Sequence, residues 1–247
     1  MSVVKFFEYN KFEPIKSFYL KDDLNRKIWD KEDKLDPDIR KSLIQIATDF
    51  IDNLELDIEI KDIILTGSLA NYNWSEYSDF DLHILFDFLD INKDIDLVRK
   101  YLDSEEKLWK YRHDIQIKGY EVEVYPQNIS DPHTSSGQYS IQRDKWIVKP
   151  SKENFVPDEE LIKKKAQKIT DVIDEIENDF DENMDYVEIK QKIKKIWKKI
   201  KDSRKAGLEK DGEYSVENLV FKLLRRNGYI TRLLDIKSKA YDKQFKK

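Results

Sequence analysis

Two aspartates one residue apart, Asp79 and Asp81, stand at the head of an apolar run inside LTGSLANYNWSEYSDFDLHILF, Leu65 to Phe86. Side chains of a strand alternate faces, so Asp79, Asp81 and His83 fall on one side and Phe80, Leu82, Ile84 and Phe86 on the other. Two carboxylates about 6 to 7 Å apart along one strand face are hard oxygen ligands, and hard oxygen ligands suit divalent cations, magnesium first. Two-metal phosphoryl transfer sets its ions about 3.5 to 4 Å apart and needs a third carboxylate, which must come from elsewhere in the chain.

GYEVEVYP, Gly119 to Pro126, offers one. Glu121, Glu123 and Tyr125 share one face of this predicted strand, Val122 and Val124 the other. The preceding Asp114 to Ile117 joins it through Lys118-Gly119, a spacing suited to a two-residue hairpin. A sheet containing these strands could bring Glu123 beside the aspartates. Upstream, Ile63, Ile64 and Leu65 form a short strand that stops at Gly67, a residue suited to a tight turn or a close backbone approach.

Gly67-Ser68, ten intervening residues, Asp79-Phe80-Asp81-Leu82 and a later strand with an acid between apolar residues together resemble the DNA polymerase β-like nucleotidyltransferase superfamily. That superfamily includes template-independent polymerases, poly(A) and CCA-adding enzymes, antibiotic nucleotidyltransferases, oligoadenylate synthases and bacterial cyclic-nucleotide synthases. The resemblance covers residues 60–126 well. More loosely the whole chain is similar to nucleotidyltransferases encoded by tailed phages, through LNRKIWDKEDKLDPDIRKSLIQIATDF and GEYSVENLVFKLLRRNGYI.

The resemblance implies that Gly67 and Ser68 contact a nucleoside triphosphate, with ATP expected, and that Asp79 and Asp81 bind two Mg2+ ions, for which Mn2+ can substitute. It makes Glu123 the third metal carboxylate and the general base, since Glu123-Val-Tyr-Pro126 matches the acid-x-x-Pro arrangement of the family. Glu stands here where many members have Asp, and the choice between Glu121 and Glu123 stays open. The implied reaction transfers a nucleoside monophosphate to an acceptor hydroxyl of RNA, a nucleotide, a protein or a small molecule, releasing pyrophosphate; cyclic or oligomeric products belong to the same class. Two other readings exist: a nucleotide- or RNA-binding module of this fold without chemistry, and a half-exposed strand with a solvated aspartate face.

The 247 residues suffice for one large or two small domains with real cores. Charged residues make up 38% and hydrophobic ones 39%, which excludes a disordered chain. No run approaches the eighteen or so apolar residues of a membrane span, and Met1 to Tyr19 is too interrupted by Lys, Glu and Pro for a secretory signal. A cytoplasmic setting is expected, that of the host for a phage protein. Cysteine is absent, which excludes disulfides, thiolate zinc sites and cysteine nucleophiles. His83, His113 and His133 lack zinc-cluster spacing, so metal chemistry must rest on carboxylates. A packing or hydrogen-bonding role is favoured for His83.

Residues 1–35 read as irregular, with a strand at Ser17 to Leu20. Asp36-Pro37 opens a helix whose Ile39, Leu43, Ile44, Ile46, Ala47, Phe50 and Ile51 line one face; Ile91 to Tyr111 reads as another. From Gln127 to Pro157 the chain is polar and irregular apart from an extended Trp146 to Val148. Its Ser135, Ser136 and Tyr139 either contact substrate or belong to a linker. The last third carries helical stripes, with Ser215 as a cap and a break at Asn227-Gly228. The expected architecture is α/β (α+β): a small mixed-sheet catalytic domain at residues 1–150 and a C-terminal helical bundle lobe at 151–247, with the nucleotide between them.

Tyr186 to Lys247 holds 19 Lys and Arg against 8 Asp and Glu, although the whole chain has a net charge of −5. A basic lobe attracts triphosphates and RNA backbones. Lys190, Lys194, Lys198 and Lys201 read as the wet face of a helix. Arg225 and Arg226 are the candidate phosphate ligands, because paired guanidiniums offer bidentate geometry.

Overall fold

The computed structural model describes residues 13–132, 134–182 and 185–245; His133 and residues 1–12 of the expected irregular segment lie outside them. Among the described residues the chain forms a mixed six-stranded sheet and six α-helices, an α/β arrangement. Contacts divide it into two compact units, Leu20–Asn154 and the remainder, in which the residues up to Tyr19 join Phe155–Lys247.

In the first unit, α1 (Pro37–Asn53) begins where Asp36 accepts hydrogen bonds from the backbone N–H groups of Asp38 and Ile39. Pro37 occupies a first-turn position that has no intrahelical N–H partner to lose. Ile39, Leu43, Ala47, Phe50 and Ile51 are buried along one face. Strands β1 (Asp62–Thr66) and β2 (Phe80–Phe86) pair antiparallel, with Thr66 opposite Asp81. Helix α2 (Ile95–Arg112) carries the chain from β2 to the hairpin of β3 (Gln116–Ile117) and β4 (Tyr120–Asn128). That crossover lets β2 and β4 pair in parallel, as a two-residue turn could not.

The hairpin turn sits at Lys118 and Gly119, both at positive φ (54° and 87°), which two-residue hairpins require. The sheet order is β3-β4-β2-β1-β5-β6, with β5 at Gln138–Ser140 and β6 at Lys145–Val148. Pro126 lies within β4, but β3 pairs only with Tyr120 and Glu121, so its missing N–H falls where β4 has no second neighbour.

Two expectations are corrected. Ser17 to Leu20 is not a strand: Glu13–Phe18 is a 3-10 helix, with the Ser17 hydroxyl bonded to the Pro14 carbonyl. A chain whose pattern carries Pro14 and only two buried apolar positions, Ile15 and Phe18, coils onto its neighbours instead of pairing. Gln138–Ser140, expected as loop, is a buried strand on the flank of β1. Its Tyr139 packs edge-on, at about 5 Å from each, against Trp29 and Trp146, which stack on one another.

The second unit holds α3 (Glu159–Asp181), α4 (Tyr186–Asp211), α5 (Val216–Arg226) and α6 (Tyr229–Phe245). Their stripes meet in one core that includes Ile173, Ile193, Leu223 and Leu233, together with Ile15 and Phe18. Ser215 caps α5, and Gly228 at φ +74° separates α5 from α6. No described helix is long and apolar enough to cross a membrane.

Candidate metal centre

The alternation of β2 buries Phe80, Leu82 and Ile84 and leaves Asp81 and His83 half-exposed on the opposite face. Parallel pairing sets Asp81 opposite Glu123, and His83 opposite Tyr125. Asp79, just ahead of the strand, completes the group: one carboxylate oxygen each from Asp79, Asp81 and Glu123 lies within 4.8 Å of the others. Three oxygens so spaced lie no more than about 2.8 Å from a common centre, so side-chain shifts of under about 1 Å would bring them to the bond length of about 2.1 Å that magnesium takes. The donor set is oxygen only, half-buried, and on strands of a packed sheet, so it fits a hard divalent cation. Glu121 is paired in register with Gln116 of β3, one strand further from β2.

Gly67 holds the floor of this cluster. Its φ of +73° and ψ of −161° belong to a region open to glycine alone. A Cβ there would stand 1.7 Å from Oδ2 of Asp81. The backbone after β1 thus runs directly beneath the second aspartate, a proximity only a residue without a side chain permits.

Ser68 follows in a short 3-10 turn, and its hydroxyl lies 2.7 Å from that of Ser78. Ser78 Oγ also accepts the Ser75 N–H at 2.9 Å. The ten residues between Ser68 and Asp79 therefore form a loop whose two ends are tied together immediately before the aspartates. The far side of this turn is braced: Trp29 Nε1 donates to the Leu69 carbonyl at 2.7 Å, and Asn71 Nδ2 to Ser136 Oγ at 2.7 Å. The 135–139 segment is thus engaged within the protein, with Ser135 on the Gly137 carbonyl and the Tyr139 hydroxyl on Asp144.

Two side chains meet the carboxylate of Glu123. The Tyr125 hydroxyl donates to Glu123 Oε2, and the Lys110 ammonium, from the last turn of α2, donates to Oε1. Lys110 also reaches Glu121 Oε1 at 3.2 Å. Burial works against the Lys110 charge, yet the two glutamates outweigh it and raise its pKa. The Tyr125 phenol is driven far above its usual range by burial, by its bond to Glu123 and by the nearby aspartates. His83 stacks on Tyr125 at 5.1 Å, and its Nδ1 bonds to Gln127 Oε1 at 2.8 Å.

A cavity of about 90 Å³ adjoins Glu123, lined among others by Glu106, Trp109, Lys110, His113 and Tyr125. Burial, then Asp103, pushes the Glu106 carboxyl up, and the buried Trp109 Nε1–H has no hydrogen-bond partner among the described residues. Lys110 carried no sequence signal because its link to Glu123 is tertiary. Tyr125 did, through its place two residues on along the glutamate face.

Arg225 and Arg226 lie in the other unit, in the last turn of α5. Arg225 is exposed, whereas Arg226 donates to Ser17 Oγ and sits 4.8 Å over the Phe18 ring. No family model, no curated protein and no solved structure matches the chain.

Proposed function

We propose that the protein is a metal-dependent nucleotidyltransferase that transfers a nucleoside monophosphate from a nucleoside triphosphate, ATP foremost, to an acceptor hydroxyl. The observation that carries this reading is the convergence of Asp79, Asp81 and Glu123 over the backbone of Gly67. In this reading Asp79, Asp81 and Glu123 hold two magnesium ions. Bound there, the cations supply charge neutralisation at the phosphates and lower the pKa of the acceptor hydroxyl. Ser68 and the amides of its turn bind the β- and γ-phosphates.

The acceptor oxygen forms a bond to the α-phosphorus as the bond from that phosphorus to the α,β-bridging oxygen breaks. Pyrophosphate leaves with the electron pair, and the Glu123 carboxylate takes the acceptor proton. Tyr125, whose hydroxyl donates to Glu123 Oε2, orients that carboxylate.

Incubation with α-labelled ATP and magnesium, alone, with RNA, and with cell lysate, tests the reading: label appears in RNA, in protein, or in a small product. Asp79→Asn and Asp81→Asn should each lower the rate at least a hundredfold while the protein stays folded. Full turnover in either variant sinks the assignment.

One observation favours a second reading, a nucleotide- or RNA-binding module without chemistry: the ammonium of Lys110 already satisfies Glu123. ATP binding by equilibrium dialysis with no labelled product under any acceptor condition would establish that reading instead.

A further inference from the structure

Glu123 presents two oxygens, and in this structure Tyr125 donates to one and Lys110 to the other. A cation entering the cluster needs lone pairs on that carboxylate, and the ammonium is a charged group bonded to it there. The Glu123 side chain is only 16% exposed, while Lys110 and Glu121 are 52% and 47% exposed. The ammonium thus has an open route away from Glu123, and it has a destination. Glu121 sits two residues along the same face of β4, already 3.2 Å from Lys110 Nζ. A flexible four-carbon stem moves between two carboxylates about 6 to 7 Å apart with small changes in its torsions.

We propose that Lys110 is a resident cation of the metal centre: it neutralises Glu123 while the centre is empty, gives that carboxylate up when divalent metal arrives, and transfers to Glu121. This rests on the metal reading of the acidic cluster. It assigns separate tasks to the two glutamates that the sequence left as alternatives, Glu123 as ligand and Glu121 as the landing site of the lysine. It also states what sets metal affinity. Three carboxylates held together repel one another, which an internal ammonium relieves, and the same ammonium then competes with the incoming ion. A site of this kind loads poorly with metal alone and well with a metal-triphosphate, whose phosphates contribute further ligands. Lys110 is therefore a positioning residue that acts on the centre through Glu123.

The test is Mn2+ binding to the full chain without nucleotide, read from the electron paramagnetic resonance of the free ion. Removing one positive charge several ångströms from a divalent ion at a partly solvated site is expected to tighten binding about tenfold, so Lys110→Met should bind Mn2+ about tenfold more tightly than the unaltered protein. Lys110→Arg keeps the charge and should not tighten binding. Lys107→Met, which removes a neighbouring exposed lysine, controls for general electrostatics and should change affinity far less. Glu121→Gln should weaken Mn2+ binding in the native background and have no effect when Lys110 is already Met, a coupling that a double-mutant cycle isolates.

Affinity unchanged or weakened in Lys110→Met, with manganese still bound by the unaltered protein, overturns the role of Lys110 alone. The same holds if Lys107→Met tightens binding equally. Absence of manganese binding both to the unaltered protein and to Lys110→Met overturns the metal reading, and this proposal with it. Thermal unfolding of each variant separates these outcomes from loss of fold.

Discussion

The least replaceable residue of the cluster carries no functional group. Gly67 combines a positive φ with a backbone position that a Cβ could share only by displacing the Asp81 carboxylate, 1.7 Å away. Gly67→Ala therefore combines backbone strain of about 1 to 3 kcal/mol with displacement of an aspartate from its fellow ligands. Mn2+ affinity and ATP turnover should fall together at least a hundredfold, accompanied by a lower melting temperature; a variant with native manganese affinity would show that Asp81 does not depend on this approach. Glu106 makes a different statement, about pH. Burial and Asp103 raise its folded pKa above the unfolded value. Such a group contributes stability that is fully present below the unfolded pKa and is lost as pH rises through the raised folded pKa. Glu106→Gln removes that loss. It should melt higher than the unaltered protein at neutral pH and converge with it below about pH 4, where carboxylates are protonated in both states. Parallel melting curves for the two proteins across this range would contradict the account.

At the scale of elements, what the sequence displays depends on whether the deciding contact is local. Period-two alternation in Phe80–Phe86 and Tyr120–Asn128 reveals which side chains share a face, and the three acids do stand together because β2 and β4 pair side by side. The turn at Lys118-Gly119 and the break at Asn227-Gly228 were equally legible, since each is dictated by residues that tolerate positive φ. The order of strands was not legible. Nothing in Gln138–Ser140 announces a strand: three residues give too few alternations, and its burial comes in part from Trp29, distant in sequence. Glu13–Phe18 failed for the complementary reason, because an aromatic residue in a short segment suits a strand or a tertiary anchor equally until its partners are known. Within the cluster the same divide holds. Acids and glycine are recognisable by type and spacing, whereas the seating of Lys110 on Glu123 exists only once α2 is laid beside β4.

For the molecule as a whole, the two hydrophobic clusters decide how it comes apart. One joins Leu24, Trp29 and the α1 stripe to the buried faces of β1, β2 and β4; the other joins Ile15, Phe18 and the stripes of α3 to α6. Residues 20–154 thus form a continuous stretch holding a complete sheet, its covering helices and all three acids of the cluster, within the size of an independently folding domain. The helical unit is built differently, from two pieces of chain, and Phe18 is buried in its core beneath Arg226. A fragment of residues 20–154 should therefore unfold cooperatively and bind Mn2+ with the affinity of the full chain, since every carboxylate and Lys110 remain. A fragment of residues 155–247 lacks Ile15 and Phe18 and should be much less stable than the same helices in the full protein, by about 3 to 5 kcal/mol for the loss of a buried phenylalanine alone. Chemical denaturation of both fragments beside the full chain measures these differences. If residues 20–154 fail to fold while the longer chain is stable, the sheet unit draws its stability from the helices, and the metal centre belongs to the whole molecule instead of to one half of it.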